Sequence, residues 1–512
     1  MLGEDDEGRM VELDAAKVLS IPRRLKSREV VRRGFMCNYL FQNISNVFGA
    51  PDIVKEIVKK LTPVQEEPLK KNSNALDKIG DVPVDENGEV EIPNEVIIGT
   101  AQGIFGTKQY EEITQEISPP LEEFAKTTSR SGVNIAIKKV ADAVKETVIS
   151  KVVTPVADKY AINPREQQRL EQQVSKEIEN KLENIQGDYE QKVKIAQVEF
   201  EKKREAAQTE AEVTAAEEEH KNTIDIALQE LTAAVQQTVN ETIENKPAEL
   251  VENLEKCKAE KDKKSIEDTI RAHLRGFSRT IPSFIMAYGD ENLTLKNFDE
   301  YTEEDVFEEV TGITLDNFRL LRDGGYYLNE ESGAEEYFKG HLFDETVFND
   351  SIKEFWKKKQ ELANYFDEDK DEDIFDYIPP QKTNQIFTPR RVVKMMVDAL
   401  EENNPSCFDG PDKTFADLYM KSGLYITEIV KRLFRSKKMK ELYPDDSERI
   451  RHILRKQVYG MAPTRIIYLI ATNYILGFDE SLKTETKNFV QADAAEAAKN
   501  NELDKLVDKF FG

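Results

Sequence analysis

The residues best placed to do chemistry in this chain are Asp417-Leu418-Tyr419-Met420-Lys421-Ser422-Gly423. A short apolar run from Thr414 to Leu418 leads into them. An amphipathic helix follows, with Ile426, Ile429, Val430 and Leu433 on one side. Strand, small-residue turn and helix make the unit that holds a nucleotide-like ligand in open α/β sheets. The ligand lies beyond the carboxyl end of the strand, against the start of the helix. Ser422-Gly423 keeps the backbone approachable at that point. An ordinary βα turn has the same spacing, so the pattern alone leaves both readings open.

Other chemistries find little support. No Gly-Lys dipeptide occurs, so there is no phosphate loop of the G-x-x-x-x-G-K-[ST] kind and no ATPase motor. Cys37, Cys257 and Cys407 are far apart, as are His220, His273, His341 and His452, which argues against a His/Cys metal site. Sparse, odd-numbered cysteines fit a reducing, cytoplasmic compartment. No run of 18 apolar residues exists, and the acidic start MLGEDDEGRM is neither a signal nor a transit peptide.

The elements that must position the turn begin at Phe387-Thr388-Pro389. These are read as an extended entry to a helix with Val392, Val393, Met396 and Leu400 on one face, closed by Asn403-Asn404-Pro405. A second strand is expected at Gln457-Val458-Tyr459-Gly460, with a helix carrying Ile466, Ile467, Ile470 and Tyr474 behind it. Arg390-Arg391, Lys431-Arg432, Arg435 and Lys437-Lys438 are either a basic patch for phosphates or solvated helix faces.

Upstream, the composition divides the 512 residues into several parts. Residues 1–62 read as helical, with a basic run from Arg23 to Arg33 before the aromatic-rich FMCNYLFQNISNVFG. That pairing suits either a single nucleic-acid strand or a helix with one buried face. Residues 63–115 combine a linker with a β-hairpin about Asn87-Gly88, and Val96-Ile97-Ile98 reads as a further strand. Residues 116–163 are helical, with Val133, Ile137, Val140, Val144 and Val148 on one stripe. Residues 164–247 form a coiled-coil-like arm, a long helix or an antiparallel hairpin, with Ile178, Leu182, Ile185, Tyr189 and Val193 on its seam. Residues 248–380 are a mixed helical connector, and 381–512 are α/β. In the connector, the basic island Ile270 to Thr280 either contacts phosphate or pairs with nearby carboxylates. The acidic run Asp367 to Asp373 reads as a solvated linker.

The stretch from Phe387 onward resembles the cofactor-binding part of S-adenosylmethionine-dependent adenine-N6 DNA methyltransferases. It looks most like the kind fused to helicases in restriction–modification polypeptides. Phe387-Thr388-Pro389 matches the family's F-T-P segment, which covers the methionine end of the cofactor. Asp417 to Gly423 matches the D-P-x-x-G-x-G turn, with Leu418 in place of the proline and Lys421 in place of the first glycine. Asn488 to Asp493 matches the third strand. The resemblance implies that Asp493 accepts from the cofactor's adenine amine and that Met461 packs on the adenine ring. The acidic ribose-holding residue is replaced by Met461-Ala462. The implied fold is mostly α, with a C-terminal Rossmann-like partial methyltransferase domain. The implied cofactor is S-adenosylmethionine, and the implied partners are DNA and other restriction–modification subunits.

No Asn-Pro-Pro-Tyr or Asn-Pro-Pro-Phe segment occurs, so a catalytic residue is not assigned and the chain reads as a fragment ending before that motif. A net charge of −26 opposes free-standing DNA binding and, with the helical arm, favours a rival reading as a non-enzymatic interaction subunit.

Overall fold

The computed structural model describes residues 2–4, 10–12, 38–61, 74–127, 130–329, 332–367, 372–378 and 387–512. Two compact units divide the chain. One holds residues 82–85 and 89–262, the other residues 1–81, 86–88 and 263–512.

The first unit is helical. Its arm is an antiparallel hairpin of α1 (Pro164–Ala206) and α2 (Glu210–Ser278), whose residues to 262 belong to this unit. Asn163 starts α1 by accepting from the Glu166 N–H at 3.0 Å, with Pro164 at the first helical position, where its missing N–H costs nothing. The alanine-rich middle is where the chain turns back. Val174, Ile178, Leu182, Tyr189 and Val193 of α1 are buried in one core with Leu231, Val235, Val239 and Ile243 of α2. Ion pairs Lys192–Glu230, Lys203–Glu219 and Lys246–Glu177, each at 2.6 Å, run along the hairpin in antiparallel register. The long helix does not stop at Pro247. Ile243, Leu250 and Val251, all buried, hold it on both sides, and that packing overrides a penalty of ~3 kcal/mol. Val133, Ile137, Val140, Val144 and Val148 of the helix Arg130–Val148 join the same core.

One local expectation fails and another holds in reduced form. Val96-Ile97-Ile98 is not a strand but part of the helix Asn94–Ile104. Ile97 and Ala101, four apart, face Val251 while Val96 and Ile98 stay exposed. The hairpin expected at Asn87-Gly88 reduces to a single bridge between Val84 and Val90.

In the second unit, Leu2–Glu4 pairs antiparallel with Met10–Glu12, so the start of the chain is not all helical. The basic run Arg23 to Arg33 lies outside the described residues. The aromatic stretch behind it is core: Leu40, Phe41, Ile44, Val47 and Phe48 are all buried. A cluster of phenylalanines forms the centre, with Phe284 and Phe307 rings 5.6 Å apart and Phe298 and Phe318 rings 5.8 Å apart. Arg271 of the basic island pairs with Glu267 at 3.4 Å and Asp268 at 3.6 Å, as the carboxylate reading of that segment requires.

The C-terminal part of this unit is a small parallel sheet with its helices. Strand β1 (Phe415–Asp417) pairs with β2 (Val458–Ala462), which pairs with β3 (Phe489–Gln491). Phe415 stands opposite Val458 and Gly460 opposite Phe489. Helix α3 (Arg390–Asn403) precedes β1, and α4 (Leu424–Arg435) follows it. Helix α5 (Asp446–Lys456) leads into β2, and α6 (Arg465–Ile475) leaves it. Ile426, Ile429, Val430 and Leu433 of α4 and Ile466, Ile467, Ile470 and Tyr474 of α6 are buried, as their spacing predicts. No described helix is long and apolar enough to cross a membrane.

Candidate functional site

Because all three strands are parallel, their carboxyl ends open at one edge of the sheet. That edge collects Asp417 and the turn Leu418 to Gly423 after β1, Pro463-Thr464 after β2, and Ala492-Asp493 after β3. Backbone bonds hold the turns in place. Met420 N–H donates to the Met461 carbonyl at 2.7 Å, and Ala492 N–H to the Ala462 carbonyl at 2.9 Å.

Gly423 caps α4 in the left-handed region, with φ of 78°. A Cβ here would sit 3.0 Å from Ile475 Cγ1 and 3.1 Å from the Ala471 carbonyl oxygen of α6. The small residue is therefore required by helix-on-turn packing, beyond any role toward a ligand. Ser422 is buried, and its Oγ accepts from Leu424 N–H at 3.3 Å.

Asp417 ends β1 and accepts from Tyr419 N–H at 3.1 Å. Burial holds its carboxyl above the usual carboxylate range, against the lowering effect of that bond. Tyr425, one residue into α4, ties the site together. Its hydroxyl donates to Met396 Sδ at 2.7 Å, lies beside the Thr388 side chain, and feels the Asp417 charge. The F-T-P segment thus lies beside the first turn of α4. Phe387 is fixed by the Phe375 ring, 4.8 Å away, and Pro389 caps α3. Sequence reasoning missed Tyr425 because it lies off the apolar stripe of its helix. Only its position two residues after Gly423 marks it.

Leu418 is half-buried. Lys421 is half-buried and lays its ammonium over the Tyr419 ring, 5.6 Å from the centroid. Met461 and Ala462 are fully buried. Asp493 is exposed and caps the short helix Ala494–Lys499, accepting from Ala495 N–H at 2.9 Å and Glu496 N–H at 3.1 Å. Thr464 precedes α6, and its Oγ1 is buried without a hydrogen-bond partner among the described residues.

The face expected on α3 is shifted. Val393 and Val397 are buried against α4, whereas Met396 and Leu400 are 54% and 41% exposed. Two valines a turn apart suffice to seat the helix, which leaves Met395, Met396 and Leu400 as an apolar rim. The basic cluster is not a phosphate patch in its α4 part. Lys431 is buried on Glu428 at 2.5 Å, and Arg432 pairs with Glu428 at 3.1 Å and also with Asp398 and Glu401. Nor are these faces solvated. A cavity of about 340 Å³ beside them, lined by Lys394, Phe408 and Arg435 among others, lies at the far end of α4 from the turn. Its charges compensate one another.

The acidic run before F-T-P is not wholly solvated either. Asp373 is buried, accepts from Phe375 N–H at 2.9 Å, and leaves its Oδ2 without a hydrogen bond among the described residues. Burial pushes its pKa up to about 6.

Over 199 residues the chain is 23% identical to an uncharacterized adenine-specific methylase of Mycoplasma pneumoniae. The match covers 36% of this chain and 47% of that protein, so the chain spans about half the length of this relative. No family model matches the chain, and no solved structure matches it. The likeness supports a relationship to methyltransferases at that coarse level.

Proposed function

We propose that residues 381–512 bind S-adenosylmethionine as the Rossmann-like part of an adenine-N6 DNA methyltransferase of the restriction–modification type. One observation carries this reading: of the F-T-P, DLYMKSG and QAD segments, which resemble parts of one cofactor site, the last two stand at the carboxyl edge of a parallel sheet ordered β1-β2-β3 and the first lies beside the helix that starts there. That edge is where open parallel sheets bind nucleotides. The partial likeness to an adenine-specific methylase points the same way.

The residues present fit such a group. Thr388, Tyr425 and Asp417 would hold the amino-acid end, and Asp493 the adenine amine. The apolar rim of Met395 and Met396 would border the site. In place of an acidic ribose ligand, the Thr464 hydroxyl after β2 is buried and without a partner among the described residues. Bound there, the cofactor supplies an electrophilic methyl group, while the protein contributes alignment and exclusion of water. The 512 residues hold no Asn-Pro-Pro-Tyr or Asn-Pro-Pro-Phe to grip a target adenine. This chain by itself therefore provides the cofactor site and not transfer, and DNA is met through partner elements. Isothermal titration of the chain with S-adenosylmethionine should give one site per chain, weakened by Asp417→Ala. Absence of heat at millimolar ligand would remove the proposal.

A second reading has its own support. Ile195, Val198 and Ile226 of the arm are 52%, 44% and 55% exposed, as in a surface that docks a partner. Under it the chain is an interaction subunit, and light scattering that finds only monomer, with no partner captured, would count against it.

A further inference from the structure

We propose that Lys421 reads the carboxylate at the amino-acid end of the ligand and so sets the preference for a zwitterionic nucleoside. The inference rests on the cofactor reading above and deepens it.

Three observations lead there. Lys421 stands where a small residue would serve the turn, directly after the strand end. Its backbone is fixed on both sides: Met420 N–H is bonded to the Met461 carbonyl, and Ser422 and Gly423 are buried. Only the flexible stem can move. Second, the ammonium has no ion pair among the described residues, although the chain carries 98 acidic residues. It lies over the Tyr419 ring, itself 37% exposed. A cation over an exposed ring is weakly held and readily exchanges that contact for a carboxylate. Third, Asp417 is four residues away in the same turn, yet it accepts from the Tyr419 N–H and forms no ion pair with Lys421. An anion and a cation presented at one strand end without neutralising each other match the ammonium and carboxylate of an α-amino acid. Asp417 would take the first and Lys421 the second. A lysine here is then a reader of charge, in a position where bulk would otherwise obstruct the ligand.

The test uses the full chain and three nucleosides in calorimetric titration: S-adenosylmethionine, decarboxylated S-adenosylmethionine, and 5′-methylthioadenosine, which lacks the whole amino-acid end. The wild-type chain should bind the first at least about tenfold more tightly than the second, the scale of one charge-assisted hydrogen bond. Lys421→Met should erase that ratio, Lys421→Arg should keep most of it, and neither should change affinity for 5′-methylthioadenosine. A ratio equal in wild type and Lys421→Met overturns the role of Lys421 while leaving the cofactor site standing. Equal losses for all three ligands in Lys421→Met, with an unchanged melting curve, overturn it as well. Failure of the wild-type chain to bind any of the three overturns both.

Discussion

Alanine at Gly423 should destabilise the second unit far more than alanine at Gly477. Both glycines have positive φ, 78° and 63°. At Gly477 a Cβ would meet nothing within 4 Å, so Gly477→Ala carries only the left-handed penalty of ~1–2 kcal/mol. At Gly423 the Cβ would press on Ile475 at 3.0 Å and on the Ala471 carbonyl at 3.1 Å. A side chain can yield, but a helix carbonyl moves only with α6. Overpacking of this kind adds about 1–3 kcal/mol, which brings Gly423→Ala to about 2–5 kcal/mol. Trp356, the single tryptophan, lies in this unit and reports its unfolding without interference from the arm. Urea titrations followed by its fluorescence should place the two variants in that order, separated by at least ~1 kcal/mol. Equal midpoints would show that α6 does not confine the turn, and the packing account of Gly423 would be wrong.

Further predictions come from buried ionisable groups and from the site. Lys359 is buried between the Trp356 and Phe478 rings, and burial pulls its pKa down to about 8. Between about pH 8 and its unfolded value the unfolded chain binds the extra proton, so stability should rise with pH across that window, by about 3 kcal/mol at most. Lys359→Met should flatten this rise in pH-dependent urea melts. Asp373 has the opposite sign: with its pKa raised to about 6, the native state binds the extra proton from about pH 4 to 6 and stability falls as pH rises through that range. Asp373→Asn, which keeps an acceptor for Phe375 N–H, should therefore be more stable than wild type at pH 7, by up to about 3 kcal/mol. Tyr425→Phe should leave the melting midpoint nearly unchanged, because the hydroxyl's partners are at the surface, and weaken S-adenosylmethionine binding several-fold in titration.

The strands and helices around the turn were legible because each carries one periodic face. Ile426 to Leu433 and Ile466 to Tyr474 are buried as their spacing requires, and the β1–β2 pairing of Phe415 with Val458 follows from the order of the segments. The reason for Gly423 was not legible, since it depends on Ala471 and Ile475, some fifty residues later in the chain. Val96 to Ile98 misled because three apolar residues in a row do not distinguish a strand from a buried helix turn. Charged residues misled most. Asp373 reads as part of a solvated linker and Lys431 as part of a phosphate patch or a solvated face, yet both are buried, Lys431 on Glu428. In the candidate site, the sequence named the residues at the strand ends but not Tyr425, whose hydroxyl reaches from α4 back to Met396.

Hydrogen exchange with and without S-adenosylhomocysteine locates any bound nucleoside along the chain. Protection is predicted in residues 387–396, 417–425, 461–466 and 492–496, with the arm from 164 to 262 unchanged. A saturating ligand that protects the arm, or protects nothing, would contradict a nucleoside site at the carboxyl edge of the sheet.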